Sequence, residues 1–133
     1  MSTFASQLRK FSEKTQGRFV TVLRTSCLDL FSSIILETPV DKGVLRNNWY
    51  AEFNFPVDTE TTREDPSGSA AINRMKRKLK DVDVSDVVYF VNNLPYATYI
   101  EFDGISGKAP NGMVRVNTIR WDNIVKINAR KIK

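Results

Sequence analysis

Apolar residues in the first part of the chain recur every three or four positions: Phe4, Leu8, Phe11, Phe19, Val22, Leu23, Cys27, Leu30, Phe31, Ile34 and Ile35. That spacing predicts helix over residues 3–37, in one piece or two. Ser2 or Thr3 can cap its start. A single helix would span on the order of 50 Å at ~1.5 Å per residue, long for a small domain. Gly17, costing about 1 kcal/mol against Ala, is the expected place for a kink or break. Leu28 to Leu36 is apolar on most sides and is expected to be the most buried stretch.

The period then changes. Thr38-Pro39 ends the helix, and Asp41 and Gly43 form a turn in which Gly43 can take positive φ. Trp49 to Phe55 alternates, with Trp49, Ala51, Phe53 and Phe55 on one face, which predicts a half-buried strand. Pro56 to Ser69 is polar and acidic and reads as a loop, with room for a further strand before Asp65. Ala70 to Lys80 predicts a short helix whose apolar side is Ile72, Met75 and Leu79. Val87 to Val91 is apolar on both faces, the mark of a central strand, and Asn92-Asn93 stops it. Pro95 is placed to open a helix through Glu101, ended by Asp103-Gly104. Gly104 to Gly112 is a loop. Met113 to about Ala129 predicts a last helix, with Met113, Val116, Arg120, Ile124 and Ile127 in one stripe.

The expected fold class is α+β: a long N-terminal helix, a small antiparallel sheet packed against helices, and a C-terminal helix. One domain over residues 1–133 divides into a helical segment (1–37), an α+β core (38–129) and a basic tail (130–133), which is expected to fray.

Composition narrows the chemistry. The 133 residues include no histidine and a single cysteine. That excludes imidazole catalysis, a Ser-His-Asp triad, His-ligated metal, an internal disulfide and any multi-thiolate cluster. With 41% hydrophobic and 11% aromatic residues the chain is too apolar for disorder. No apolar run is read as reaching the ~20 residues of a membrane span, and the first residues lack the apolar core of a signal peptide. Cytoplasmic production with Cys27 reduced is the expectation. Lys and Arg number 20 against 15 Asp and Glu, a net charge of +5. This favours an acidic neighbour without specifying nucleic acid.

The individual candidates are weak. Glu37, Asp41, Glu52, Glu101 and Asp103 have no spacing suited to acid/base work and read as caps, turns and ion pairs. Asp58, Glu60, Glu64 and Asp65 lack a calcium-loop pattern and read as a solvated loop. Gly104-Ile105-Ser106-Gly107-Lys108 is too short for a phosphate loop. Arg74, Lys76, Arg77, Lys78 and Lys80 are the strongest charge signal. They suit nucleic-acid phosphates or acidic partners, or else form a solvated face paired with the acidic loop. Trp49, Tyr50, Phe53 and Phe55 suit a base-stacking platform or, more simply, core. Cys27 reads as a small buried hydrophobe.

Two segments carry a resemblance. The first is Thr38-Pro39-Val40-Asp41-Lys42-Gly43-Val44-Leu45-Arg46-Asn47-Asn48-Trp49. The second runs Val88-Tyr89-Phe90-Val91-Asn92-Asn93-Leu94-Pro95-Tyr96-Ala97-Thr98-Tyr99-Ile100-Glu101-Phe102 and continues through Gly104, Ser106, Ala109-Pro110 and Gly112-Met113-Val114-Arg115. In order and spacing they resemble the tail-completion (minor tail, neck, head–tail joining) proteins of tailed bacteriophages. Lys42, Asp103 and Gly107-Lys108 depart from that family's pattern.

The resemblance implies a non-enzymatic structural virion protein, assembled in the bacterial host cytoplasm. It would complete the head-proximal end of the tail as a homo-oligomeric ring, a hexamer by expectation, around the DNA channel. Terminator, stopper or adaptor, and tail-tube proteins would be its neighbours, and genomic DNA would pass through without specific contact. No cofactor, metal or membrane is implied. Subunit or partner contacts would fall on Gly104, Ser106, Lys108, Pro110, Met113 and Arg115, so changes at Pro110 or Met113 are expected to spare the monomer fold. The long N-terminal helix would project toward other subunits. The alternatives are a tail terminator or head-closure protein, and a nucleic-acid-binding accessory protein using Arg74, Lys76, Arg77, Lys78 and Lys80.

Overall fold

Thr3 opens the first helix, its hydroxyl accepting the Ser6 N–H at 3.1 Å. In the computed structural model, which describes residues 3–103 and 106–132, helix α1 then runs unbroken over Phe4–Glu37. Gly17 does not break it into two elements. The two halves of α1 differ sharply. Cys27, Leu30, Phe31, Ile34 and Ile35 are buried and form the spine of the core. The N-terminal half stands clear of the body, with Phe4, Leu8, Phe11 and Phe19 at 79%, 55%, 68% and 62% exposure. The helix therefore belongs partly to the core, and residue 37, where the sequence divides, is where α1 ends.

An 18-residue window of α1 has a mean hydropathy of 1.6 and is long and apolar enough to cross a membrane by length and composition. This corrects the expectation that no run reaches that length. The two charges between Phe19 and Leu36 are engaged inside the fold. Arg24 donates to the carbonyls of Leu79 and Lys80, and Asp29 accepts from the Asn128 side chain. Buried apolar residues on the same stretch pack against the rest of the chain, as in a core helix.

Strands β1 (Trp49–Phe53) and β2 (Val88–Asn92) pair antiparallel, with Ala51 opposite Phe90 at the centre. Among the described residues the sheet has two strands only. The reading of β2 as central is therefore corrected: Val87, just before the strand, and Tyr89 face solvent, while Val88 and Phe90 pack on the core. Phe31, Phe90 and Trp49 stack in series, with centroids 4.1 and 5.0 Å apart. Asn54, at φ 71°, ends β1 and turns Phe55 out into solvent, which corrects its placement in the core. Residues 56–67 form no strand.

Helix α2 (Ser69–Leu79) seals the core with Ala71, Met75 and Leu79. Pro95 lies in the turn ahead of α3 (Ala97–Phe102), which Tyr96 caps, so it does not open the helix as expected. The last helix divides into α4 (Arg115–Thr118) and α5 (Trp121–Lys131). Of the stripe read there, Met113 and Ile124 are buried while Arg120 and Ile127 are exposed. Arg130 and Lys131 form the last turn of α5 rather than a frayed tail.

Candidate functional site

The C-terminal end of α1 leaves carbonyls without helical partners. Arg46 supplies donors: its guanidinium reaches the carbonyls of Leu36 and Thr38, both at 2.8 Å, and that of Pro66 at 2.8 Å. Burial lowers the Arg46 pKa, and Asp65 opposes that shift. Thr38 donates its hydroxyl to the Ile34 carbonyl and accepts the Trp49 indole N–H at 2.8 Å. Gly43, at φ 93°, lies so close to the Asp65-Pro66 backbone that a Cβ would collide with it. Asn48 donates to the carbonyls of Val44 and Thr61 and accepts the Thr61 N–H. The segment Thr38–Trp49 thus knits α1, β1 and the 56–67 loop together.

The second segment is organised by Glu101. Its carboxylate is 6% exposed and accepts the backbone N–H groups of Met113, Val114 and Arg115, the shortest bond being 2.6 Å from Val114. The Arg115 guanidinium lies 3.8 Å from the same carboxylate, donates to the Glu101 carbonyl, and sits 4.9 Å over the Phe102 ring. Gly112, at φ 90°, completes the clamp, because a Cβ there would run into the Glu101 carboxylate and carbonyl. One buried anion therefore fixes both ends of a loop whose middle is exposed at Gly107, Lys108 and Pro110.

The two segments face each other across an open cleft of about 780 Å³ lined by residues that include Val40, Asp41, Leu45, Tyr96, Ile100 and Lys108. Lys108 bridges it by donating to the Val40 carbonyl at 2.9 Å. Burial, and then the nearby Asp41 carboxylate, raise the Tyr96 phenol pKa.

Of the residues assigned to subunit contact, Lys108, Pro110 and Arg115 are exposed and Ser106 is half-buried. Gly104 lies outside the described residues. Met113 is corrected: at 1% exposure its side chain fills the core and presents nothing to a neighbour. The basic run on α2 also divides. Arg74 is half-buried, donating to the Asn47 side chain and to the carbonyls of Asn47 and Trp49, with Tyr50 4.2 Å beneath it. Lys78 pairs with Glu52 at 2.5 Å and lies over Phe53. Those two are held within the fold by partners outside the acidic loop, which corrects the pairing of the run with that loop and removes both from a free basic face. Asp65 in that loop is buried and accepts the Ala71 N–H, capping α2. Lys76, Arg77 and Lys80 remain exposed.

Three of the four strand aromatics read as core or platform, Trp49, Tyr50 and Phe53, pack inside or against Arg74 and Lys78. Burial pushes the Cys27 thiol up to about 11, as suits a buried hydrophobe. No group of three or more carboxylates, cysteines or histidines among the described residues is arranged to hold a metal ion.

Glu101 is a cap and an ion-pair partner, as its reading among caps, turns and ion pairs has it, but the sequence does not say which donors it serves. Its partners are backbone N–H groups, which have no residue identity to read, at a separation of 12–14 positions. Comparison with protein-family models, with curated proteins and with solved structures gives no match to this chain.

Proposed function

We propose that the chain is a structural protein of the tailed-phage neck, acting by assembly rather than catalysis. In this reading it completes the head-proximal end of the tail as a ring of copies around the DNA channel and supports head–tail joining. The observation that carries the reading is the projecting half of α1. Four large apolar side chains stand more than half exposed on a helix that the rest of the chain leaves bare. A surface of that kind marks a protein or membrane contact, and the family resemblance favours protein. The two segments that resemble the family support the same reading, because they meet at one cleft and are held there by built-in clamps.

Inactivating the gene in its source genome and imaging the lysate by negative-stain electron microscopy tests the proposal. DNA-filled heads beside separate tails of normal length are the expected result. Tails of uncontrolled length would replace the proposal with a terminator role. Infectious virions of normal yield would overturn it.

A nucleic-acid-binding accessory role draws on Lys76, Arg77 and Lys80, which stay exposed. The engagement of Arg74 and Lys78 within the fold weakens it. Mobility shifts with DNA over a salt series decide: tight binding with a steep salt slope favours this role, and negligible binding at physiological salt removes it.

A further inference from the structure

The arm differs on its two flanks. Phe4, Leu8, Phe11, Thr15 and Phe19 follow one another at three or four residues along one side of α1. One residue turns an α-helix by about 100°, so the positions just before and just after each of these lie to either side of the row. Those before are Thr3, Gln7, Lys10, Lys14 and Arg18, and those after are Ala5, Arg9, Ser12, Gln16 and Val20. The first flank is basic and the second nearly neutral. Glu13, the single acid of the arm, falls on the far side of the helix. Lys10, Lys14 and Arg18 are exposed, and none of them forms an ion pair among the described residues. From Phe4 to Phe19 the row is about 24 Å long.

Continued in the same threes and fours, the row passes Val22 and reaches Ser26, Asp29, Ser33 and Glu37. On the body this side of α1 is covered. Asn128 of α5 donates to Ser26 and Asp29, and Asn117 of α4 donates to Glu37. Packed helices lie about 8–10 Å apart, so α5 stands out from α1 by roughly its own thickness. Toward the tip the same side is bare. A flat bilayer laid along the whole row runs into α5, whereas a single further helix fits beside the arm.

We infer that the arm docks an acidic amphipathic helix of a different protein, its apolar face on Phe4, Leu8, Phe11 and Phe19 and its carboxylates on Lys10, Lys14 and Arg18. This deepens the neck reading and rests on it, the partner there being a neighbouring virion protein. Charges that flank an apolar seam set which helices pair. No described helix of this chain offers the acidic flank. α2 carries Arg74, Lys76, Arg77 and Lys78, and α5 sets Asp122 against Lys126, Arg130 and Lys131. Glu101 of α3 is buried, and Asp29 and Glu37 of α1 are taken by Asn128 and Asn117. A nucleic-acid backbone would meet the cations and leave four apolar side chains in water.

The test uses the full chain and three fluorescently labelled helical peptides of about the arm's length. The first has a leucine row flanked by glutamates. The second has the same row flanked by lysines. The third keeps the glutamates and replaces the row with glutamines. Anisotropy titrations at low and at physiological salt read the affinities. The first peptide should bind at least about tenfold more tightly than either of the others, and its binding should weaken with salt. Lys10→Glu, Lys14→Glu and Arg18→Glu together should reverse the preference, so that the lysine peptide binds more tightly. Lys126→Glu, Arg130→Glu and Lys131→Glu make the same change in net charge on α5 and should leave the preference as it is. Leu8→Gln with Phe11→Gln should abolish binding of the first peptide. All these positions are exposed, and unchanged circular dichroism and melting confirm that each variant is folded.

A glutamate peptide that binds no more tightly than the lysine peptide overturns the inference. So does a preference that survives the arm reversal, or one that the α5 reversal removes equally. Arm-dependent self-association in sedimentation velocity, with no peptide preference, would overturn it and assign the row to a second copy. Arm-dependent binding to phosphatidylserine vesicles, again with no peptide preference, would overturn it in favour of a lipid surface. None of these failures touches the neck reading, which the lysate morphology judges separately. Infectious virions of normal yield, which overturn that reading, would leave the peptide preference unchanged.

Discussion

Glu101→Gln removes the charge from the clamp while keeping its shape. In the folded protein both carboxylate oxygens receive backbone N–H groups, from Met113, Val114 and Arg115. Glutamine keeps one acceptor oxygen and turns an N–H₂ toward the remaining donors. At least one buried backbone N–H then loses its partner, and a buried unmet donor costs about 1–3 kcal/mol. Loss of charge assistance on the remaining bonds adds to this, since such bonds are worth roughly 1.5–3 kcal/mol against about 1 for neutral ones.

The Arg115 ion pair adds little, because its side chain is 54% exposed. The net expectation is about 3 kcal/mol, which for a domain of this size is a fall in melting temperature of roughly 10 °C. Circular dichroism melts of the wild type and the variant measure it. Hydrogen exchange should show selective loss of protection at the amides of Met113, Val114 and Arg115. Arg115→Ala, the comparison, loses the exposed ion pair, the bond to the Glu101 carbonyl and the Phe102 contact, and should cost about 1 kcal/mol, well under the Glu101→Gln change. A Glu101→Gln protein that melts within about 2 °C of wild type would refute the reasoning, because the clamp would then carry no more than an exposed ion pair.

Met113→Ala should cost about 2–5 kcal/mol in urea unfolding, as buried large-to-small changes do, although the residue lies in the segment assigned to subunit contact. Arg74→Ala should destabilise by about 2 kcal/mol, leaving two buried carbonyls short of a donor, whereas Lys76→Ala should stay within about 0.5 kcal/mol in the same assay. Cys27, with its pKa raised to about 11, should resist thiol reagents at pH 8 in the native protein and label only as fast as the chain unfolds. The Lys78 ammonium and the Phe53 N–H hold the Glu52 carboxyl below its ordinary pKa, and the Asn54 amide and Asp83 N–H do the same for Asp86. Both contributions are present above about pH 4.5 and are lost as pH falls through the lowered folded values. Glu52→Gln with Asp86→Asn should therefore flatten the acid limb of a stability–pH curve and leave its alkaline limb unchanged.

Periodicity identified α1, β1, α2, β2 and α3 close to their observed bounds, because each element keeps its apolar face on one core. It failed where sequence cannot say what lies opposite. The two apolar faces of β2 fit a central strand, yet among the described residues it pairs with β1 alone, and its Tyr89 face meets water rather than a covering layer. Phe55 continues the alternation of β1, but the left-handed Asn54 turns it outward. Arg74 looks like its basic neighbours and differs only because backbone carbonyls of Asn47 and Trp49 lie within its reach. Of the cleft, the Gly43 turn was legible, since positive φ favours glycine. Glu101 reads as a cap or ion-pair partner, but which groups it clamps does not, since its donors are backbone N–H groups. Projection of the long first helix is expected from the sequence, but which half projects is not, because Phe4, Leu8, Phe11 and Phe19 keep the same apolar period as the buried turns.

The continuity of α1 has a thermodynamic consequence for its outer half. Starting a helix is the costly step, and adding residues to an existing one is nearly free-energy neutral. Here the buried turns around Ile34 and Ile35 supply the nucleus. The outer turns inherit their order from those turns, as a zipper does from its closed end. They can unwind from the tip and rewind without disturbing the core. Gly17, with a propensity deficit of about 1 kcal/mol, sets a natural stopping point for the unwinding. The tip is thus conditionally ordered. Whatever seats on Phe4, Leu8 and Phe11 gains a helix already begun, and its grip is reported to the core only as far as the winding extends.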